Sequence, residues 1–237
     1  MSMSVLQTKA QIRQARTELE RRGLSSVDSP AVQLLRKLRL SSAGGVGDVL
    51  KSWDVLRSIE FIEQRVPKSG AILDIGAFAS EIPIALHRLG YRNVAGVDLN
   101  PKLRDCAHAD VIRYEIADFM QTPFAAESFD AITAISVIEH GFQSQRLLRE
   151  MTRLLRPGGF FIASFDYWPE KIDTGEQKFF GLDWLIFSEA ETRAFVEEAR
   201  THGLVPTGEM NFAAAERTIS CVGQWYTFGW LALGKSK

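Results

Sequence analysis

Asp98 is the residue whose type and position say most about chemistry in this chain. It ends an apolar run, NVAGV, which follows a helical segment and an earlier apolar run, AILDI. The stretch from Ala71 to Asp98 therefore has the pattern of strand, tight turn, helix and strand. In the first βαβ unit of a nucleotide-binding α/β fold, the cofactor lies across the strand ends and the second strand's carboxylate holds the ribose hydroxyls. Asp98 is thus the leading candidate for a cofactor ligand.

The turn inside this unit departs from the usual glycine-rich form. Gly76 is present, but Phe78 and Ser80 stand where further glycines are expected. Glycines in such a loop let the backbone approach the cofactor closely. A phenylalanine there either narrows the site or turns outward and leaves it intact. The motif therefore identifies the fold more firmly than it identifies a ligand.

Three further residues are candidates for catalysis: His140, Asp166 and Glu139. Glu139 and His140 follow the predicted fourth strand and face the mouth of the site, and Asp166 ends the predicted fifth strand. Histidine is the side chain best suited to take a proton near neutral pH, although a structural role is the alternative for a lone histidine. Asp166 could bind a substrate amine or hydroxyl. No set of His, Cys or carboxylates has a convincing metal-ligand spacing, so no metal is predicted.

Alternating strands and helices position these residues. The predicted strands are continuously apolar, as expected when both faces of a parallel sheet are covered; they are AILDIG, NVAGVDL, VIRYEIAD, FDAITAIS and FFIASFD. The helices between them are predicted at EIPIALHRLG, at 101–108 and at SQRLLREMTRLL. A capping box at 188–191 opens another helix to about residue 202, and two last strands are expected near LVPTGEMNF and CVGQWYTFGWLAL.

An N-terminal helical extension, residues 1–48, precedes the main domain at 49–237. It comprises a helix over 5–22, a second helix opened by Asp28-Ser29-Pro30, and a flexible joint, SSAGGVG, at 41–47. A third helix runs through DVLKSWDVLRSIEFIEQRV at the start of the main domain. The extension serves either as a lid on the substrate side or as an interface with another subunit, in which case the protein is a homodimer.

Aromatic residues give the candidate substrate contacts. An insertion at about 167–187 contains six aromatics mixed with charges, which suits a substrate-binding lid, with an oligomer contact as the alternative. Tyr167 and Trp168 open this insertion. Trp53 lies just after the flexible joint, where it either packs in the core or belongs to a lid segment over the cofactor.

The ordered set of motifs resembles the class I S-adenosylmethionine-dependent methyltransferases, of the methyltransferase type 11 kind. The matching pieces are LDIGAFAS, GVDLNP, the Ala-Asp pair at 117–118, SFDAITAISVIEH and RLLRPGGFFI, which together cover about residues 70–166. The resemblance implies an α/β, three-layer Rossmann-like sandwich. Its mostly parallel seven-stranded sheet would have an antiparallel last strand inserted beside the fifth. It also implies S-adenosyl-L-methionine as cofactor and S-adenosyl-L-homocysteine as product.

The resemblance also implies roles for individual residues. Asp74 and Gly76 would face the methionine end of the cofactor, with Ala77 and Phe78 in the same loop, and Asp98 would accept hydrogen bonds from both ribose hydroxyls. The alternatives are a bond from Asp74 to its own turn and a helix cap at Asp98.

The adenine and the sulfonium would have their own neighbours. Leu99 would pack beside the adenine, Asp118 would accept from its amino group, and Phe119 would lie near the ring. Ser136 would sit close to the sulfonium. An Asx turn is the alternative for Asp118.

Composition narrows the partners. The chain has 28 basic and 29 acidic residues in 237 and no basic block, which argues against a nucleic-acid partner. No apolar run approaches the roughly 18–20 residues that span a bilayer, no secretory signal is recognised, and Cys106 and Cys221 do not make a disulfide framework. A cytoplasmic protein without membrane attachment is expected.

The expected function is methyl transfer to an oxygen, nitrogen or carbon atom of a small-molecule or glycan-like acceptor. The alternative is a methyltransferase-like scaffold or partner subunit that binds cofactor weakly or not at all, an idea motivated by Phe78 and Ser80. The retained carboxylates of Asp98 and Asp118 argue against that alternative. Aminopropyl transfer ranks lower, because the mouth of the site has few acidic residues besides Asp166 and Glu139.

Overall fold

The computed structural model describes residues 1–27 and 46–237. The helix predicted after Asp28-Ser29-Pro30 and most of the predicted joint at 41–47 lie outside the described residues.

Five parallel strands form the centre of a nine-stranded sheet, in which the main path runs β1-β11-β6-β5-β2-β3-β4. The parallel strands are β2 (Ala71–Ile75), β3 (Asn93–Asp98), β4 (Arg113–Ile116), β5 (Phe129–Ile135) and β6 (Leu155–Tyr167). Their order places the carboxyl ends of β2, β3 and β5 side by side. The predicted mostly parallel α/β architecture is confirmed.

One edge of the sheet is antiparallel. β11 (Gln224–Lys235) lies antiparallel beside β6, as predicted for the last strand. The short strands β1 (Met3–Val5), β9 (Leu204–Pro206) and β10 (Ile219–Cys221) all pair with β11. The extension predicted to be helical therefore also contributes a strand. Three residues are too few to show a strand period in the sequence, and β1 owes its conformation to pairing with β11.

Helices cover both faces of the sheet, which gives three layers. One face packs against α1 (Lys9–Arg21), α2 (Ser52–Arg65) and α3 (Ile82–Arg88). The other packs against α4 (Ser144–Leu154) and α5 (Glu189–Thr201). The predicted capping box at the start of α5 is present. The helix predicted over 101–108 is a short 3-10 helix, Pro101–Asp105, and another 3-10 turn, Val49–Lys51, leads into α2.

The aromatic insertion folds into a small hairpin of β7 (Lys178–Phe179) and β8 (Leu182–Asp183). Phe180 at its tip is 92% exposed, whereas Trp184 just after it is buried. The hairpin therefore has an exposed tip and a buried base. No helix among the described residues is both long enough and apolar enough to cross a membrane.

Candidate functional site

A cavity of about 790 Å³ opens at the carboxyl ends of β2, β3 and β5. Its walls include residues that the sequence pattern or the resemblance assigned to the cofactor or to catalysis, namely Gly76, Phe78, Asp98, Leu99, Phe119, Ser136 and His140. These residues lie far apart in sequence. The parallel topology brings them together, because every one of them follows or ends a strand at the same edge.

Gly76 allows the turn after β2 to lie close to the turn after β5. Its φ is +70°, and a Cβ at this position would come within 2.3 Å of Cγ2 of Val137. The Gly76 N–H donates to the Val97 carbonyl over 2.9 Å, which ties the turn to β3. Phe78 is 39% exposed and lines the cavity, so its ring forms part of the wall. Gly76 is the single glycine in the turn at 76–80, and Ser80 lines the cavity as Phe78 does.

Asp98 projects into the cavity from the end of β3. One carboxylate oxygen accepts from the Phe78 N–H at 3.1 Å, and the other accepts from the Asn100 N–H at 2.8 Å. A carboxylate oxygen can accept more than one hydrogen bond, so both oxygens retain capacity for paired hydroxyls. Leu99 and Phe119 supply apolar walls beside it. This combination fits a nucleoside.

Three residues assigned to the cofactor do not line this cavity. Asp74 is buried, and its Oδ1 accepts from the Thr133 hydroxyl at 2.5 Å. Burial raises the pKa of Asp74 to about 7. Ala77 is also buried. Asp118 accepts from the Met120 N–H at 2.8 Å, the geometry of an Asx turn, and its other oxygen forms an ion pair with Arg146.

A second cavity, of about 210 Å³, adjoins the first. Asp48, Lys51 and His140 line both, so the two share a wall. Its remaining polar walls include Glu139 and Asp166, and its aromatic walls are Phe179, Trp184, Tyr226 and Phe228. All three residues predicted to act in catalysis therefore meet at this second cavity.

Three buried carboxyl groups lie near the ammonium group of Lys51. Glu139 and Asp166 are 1% and 4% exposed, and Asp54 is fully buried near them on α2. Burial raises the pKa of all three carboxyl groups, that of Asp54 to about 6, and repulsion from Asp166 raises the pKa of Glu139 further. The positive charge of Lys51 acts in the opposite direction on each of these pKa values.

Specific hydrogen bonds hold this group of side chains in place. Asp166 accepts from the Trp184 indole N–H at 2.7 Å, and Asp54 accepts from the Ser164 hydroxyl at 2.7 Å. The Lys51 ammonium donates to the hydroxyl of Ser136 and lies 3.9 Å from the centroid of the Phe228 ring. Lys51 thus connects the residue predicted beside the sulfonium to the carboxylate-lined cavity.

His140 is neutral in this setting. Burial, with a smaller contribution from the positive charge of Lys51, lowers the pKa of its imidazole to about 4. Its ring lies 5.6 Å from Phe179 and 5.9 Å from Phe180, measured between centroids. The Nδ1 atom is buried and has no hydrogen-bond partner among the described residues. The unpartnered nitrogen of this neutral ring is available to form a hydrogen bond with a bound molecule.

The predicted substrate contacts lie elsewhere. Trp53 is 8% exposed and packs in the core, with the Arg57 guanidinium 5.7 Å from its ring. Tyr167 is fully buried, and its hydroxyl donates to the Phe212 carbonyl. Trp168 packs under Arg217. Trp53, Tyr167 and Trp168 therefore line neither cavity. Two other aromatic residues of the insertion at 167–187, Phe179 and Trp184, line the second cavity.

The segment before α2 lines the large cavity, which the sequence pattern did not predict. Gly47, Asp48 and Lys51 line the large cavity, and the Gly47 N–H donates to the Ala79 carbonyl at 2.7 Å. The joint at 41–47 and the idea of a lid pointed to this segment, but to Trp53 rather than to Lys51. Asp54 also gave a signal, since it is a carboxylate in the apolar face of a helix. Among the described residues, no group of three His, Cys, Asp or Glu side chains is arranged to hold a metal ion.

Comparisons with known proteins agree with this geometry. Residues 73–163 match a family described as "Methyltransferase domain". The chain is 32% identical over 108 residues to a ubiquinone biosynthesis O-methyltransferase of Coxiella burnetii, a match that covers 43% of this chain and 46% of that protein. The match thus spans about half the length of this relative.

Solved structures share the fold. Geranyl diphosphate C-methyltransferase from Streptomyces coelicolor superposes with a TM-score of 0.54 at 16% identity, covering 76% of this chain and 79% of that one. The [4+2]-cyclase SpnF gives a TM-score of 0.57 at 15% identity, covering 99% of this chain and 98% of that one. At such identities the likeness concerns the fold alone.

Proposed function

We propose that this chain, in which residues 73–163 match the family described as "Methyltransferase domain", is a class I S-adenosylmethionine-dependent methyltransferase that transfers a methyl group from S-adenosyl-L-methionine to a small-molecule acceptor. The acceptor atom is an oxygen, nitrogen or carbon, and glycan-like molecules are included. The observation that carries the proposal is the 790 Å³ cavity with Asp98 at the end of β3. The name of the Coxiella relative supports an oxygen acceptor as one case.

The residues of the large cavity divide the work of holding the cofactor. Asp98 would accept from the ribose hydroxyls, and Leu99 and Phe119 would enclose the adenine. The turn at Gly76 would take the methionine end, where a side chain would collide with Val137. Ser136, fixed by Lys51, would lie beside the reacting end. The fit rests on the cavity lining, because Gly76, Asp98 and Ser136 all face the same space.

When bound, the cofactor supplies an electrophilic methyl group on a good leaving group. The protein's own task is therefore mainly to align the acceptor, and orientation can contribute roughly 7–11 kcal/mol in favourable systems. The second cavity shares the wall of Lys51 and His140 with the first, which suits a place for the acceptor. For a hydroxyl or an ammonium that must lose a proton, His140 or Asp166 would accept it.

Calorimetric titration with S-adenosyl-L-methionine and S-adenosyl-L-homocysteine tests the proposal. We expect micromolar binding of both to the unaltered protein. Asp98→Ala should weaken binding by at least about tenfold, because a hydrogen bond to a charged group contributes about 1.5–3 kcal/mol. Asp105→Ala is the matched control, since Asp105 is exposed and lies outside the cavity lining.

The result that contradicts the proposal is equally clear. If neither ligand binds the unaltered protein, the scaffold alternative replaces methyl transfer. If both bind and Asp98→Ala binds as tightly as Asp105→Ala, the cofactor is held in a different way from the one proposed.

A further inference from the structure

The 210 Å³ cavity has more carboxyl groups than cationic groups at its wall. Glu139 and Asp166 line it, Asp54 acts on the same group of charges from α2, and Lys51 is the cation among them. Three buried carboxyl groups, two at the cavity wall and one behind it, thus lie near one ammonium. A buried charge without a partner is costly, so this arrangement favours a ligand that brings positive charge.

Each of these three carboxyl groups has a buried oxygen without a hydrogen-bond partner among the described residues, and two of the three line the cavity. Oε2 of Glu139 and Oδ1 of Asp166 are buried and accept no hydrogen bond from the described residues. Both side chains are more than nine-tenths buried, and both line the cavity. An unsatisfied buried acceptor destabilises the site, and a donor-rich ligand would remove that penalty. An ammonium group offers up to three N–H donors together with the missing charge.

The aromatic walls favour the same kind of ligand. The face of an aromatic ring attracts a cation through its quadrupole. The Lys51 ammonium, 3.9 Å from the Phe228 ring centroid, already makes this interaction at the cavity wall. Phe179, Trp184 and Tyr226 line the rest of the space. The apolar area suits a carbon skeleton, and the carboxylates suit its charged end.

We propose that the second cavity is the acceptor subsite and that it selects an acceptor carrying an ammonium group, held by Glu139 and Asp166. This inference rests on the proposed methyltransferase function and names its substrate class. An acceptor with a carboxylate would meet repulsion from both residues. A neutral hydroxyl compound would satisfy the oxygens but leave the negative charge without a counterpart.

Three probes of nearly equal shape separate these cases. Benzylamine is a cation at neutral pH, benzyl alcohol is neutral and benzoate is an anion. Each is titrated calorimetrically into the full-length protein saturated with S-adenosyl-L-homocysteine. We expect benzylamine to bind at least about tenfold more tightly than benzyl alcohol, a difference of about 1.4 kcal/mol, and benzoate not to bind. The comparison uses the unaltered protein, so it does not depend on any variant folding.

Variants then assign the selectivity to residues. Asp166→Asn and Glu139→Gln should each reduce the preference for benzylamine over benzyl alcohol. The affinity of the large cavity for S-adenosyl-L-homocysteine should stay unchanged in both variants. Asp183→Asn is the control, because that side chain is 83% exposed on the hairpin. Lys51→Met removes the like charge at the cavity wall and should strengthen benzylamine binding.

The two proposals fail in different ways. If S-adenosyl-L-homocysteine binds but benzyl alcohol or benzoate binds as well as benzylamine, or none of the three binds at millimolar concentration, the ammonium proposal is wrong and the cofactor site stands. Benzoate binding that disappears in Lys51→Met would show that the lysine holds an anion, which also overturns it. If S-adenosyl-L-homocysteine itself does not bind, the proposed function fails first.

Discussion

A buried ion pair joins the N-terminal helix α1 to the turn between β2 and α3, and removing it should strongly lower the free energy of unfolding. The two Nη atoms of Arg16 on α1 donate to the two carboxylate oxygens of Glu81 at 3.0 and 2.7 Å. The two side chains are 9% and 1% exposed. The Ser26 N–H also donates to Glu81 at 2.8 Å, and the Arg16 Nε donates to the Ser52 hydroxyl at 3.0 Å. Glu81 lines the large cavity and directly precedes α3.

The expected magnitude follows from burial. Removing one partner of a buried ion pair costs about 3–5 kcal/mol, because the other charge is left without compensation. Arg16→Ala should therefore lower the free energy of unfolding by that amount. The same helix offers a matched control in Arg21, which pairs with Glu18 but is 70% exposed. An exposed pair is weakened by the surrounding water, so Arg21→Ala should have little effect on the free energy of unfolding.

Urea unfolding followed by tryptophan fluorescence measures both variants. Adding Glu81→Ala and the double variant completes a mutant cycle, and the double variant should lose much less than the sum of the two single losses. Additive losses, or a loss for Arg16→Ala no larger than for Arg21→Ala, would refute the reasoning. Arg16→Ala should also weaken S-adenosyl-L-homocysteine binding. Unchanged affinity for S-adenosyl-L-homocysteine would show that the ion pair stabilises the fold but does not position the turn between β2 and α3 for binding.

Three more predictions concern single positions. Gly76→Ala should strongly weaken S-adenosyl-L-homocysteine binding, because the added Cβ would collide with Val137. Gly90→Ala is the control, since Gly90 also has a positive φ, +90°, but has nothing within 4 Å of an added Cβ. Equal losses of affinity for the two variants in calorimetry would contradict this prediction. Burial raises the pKa of Asp74 from 3.8 to about 7. Between these pH values the folded protein keeps a proton on Asp74 that the unfolded chain releases. The contribution of Asp74 to the free energy of unfolding therefore falls as the pH rises from about 4 to about 7. Asp74→Asn should gain stability relative to wild type from about pH 4 to pH 7, by at most about 4 kcal/mol, in urea unfolding at several pH values; a difference independent of pH would disprove it. His140→Ala should lower kcat about 100-fold while S-adenosyl-L-homocysteine affinity stays constant, if His140 takes the proton; kcat within about twofold of wild type would remove that role.

The sequence was sufficient to predict the parallel sheet and several residues that line the large cavity. Both depend on short local patterns: an apolar strand, a glycine at a tight turn, and a polar residue where the strand ends. Gly76, Asp98 and Ser136 follow this rule, and each lines the large cavity. Asp118 follows the rule as well, yet its carboxylate is used by its own turn and by Arg146. A strand-end carboxylate alone therefore does not indicate which way the side chain points.

The group of charged residues at the second cavity could not be predicted in the same way. This group combines Lys51 from a 3-10 turn, Asp54 from α2, Glu139 after β5 and Asp166 from β6. These elements meet only when the sheet is assembled, and no local spacing records the meeting. The aromatic composition of the insertion indicated a wall of the site. Whether Trp168 or Trp184 forms that wall depends on the hairpin, which sequence composition does not define.

The N-terminal residues connect the two cavities through the core of the fold. β1 pairs with Gly229–Leu231 of β11, the strand that carries Tyr226 and Phe228 to the wall of the second cavity. Arg16 on α1 holds Glu81 at the wall of the large cavity. Residues 3–21 thus contact structures behind both cavities, although the proposed domain division places them outside the main domain. A shift of α1 against the sheet would alter both cavities together, because the turn between β2 and α3 and strand β11 are both fixed to residues 3–21.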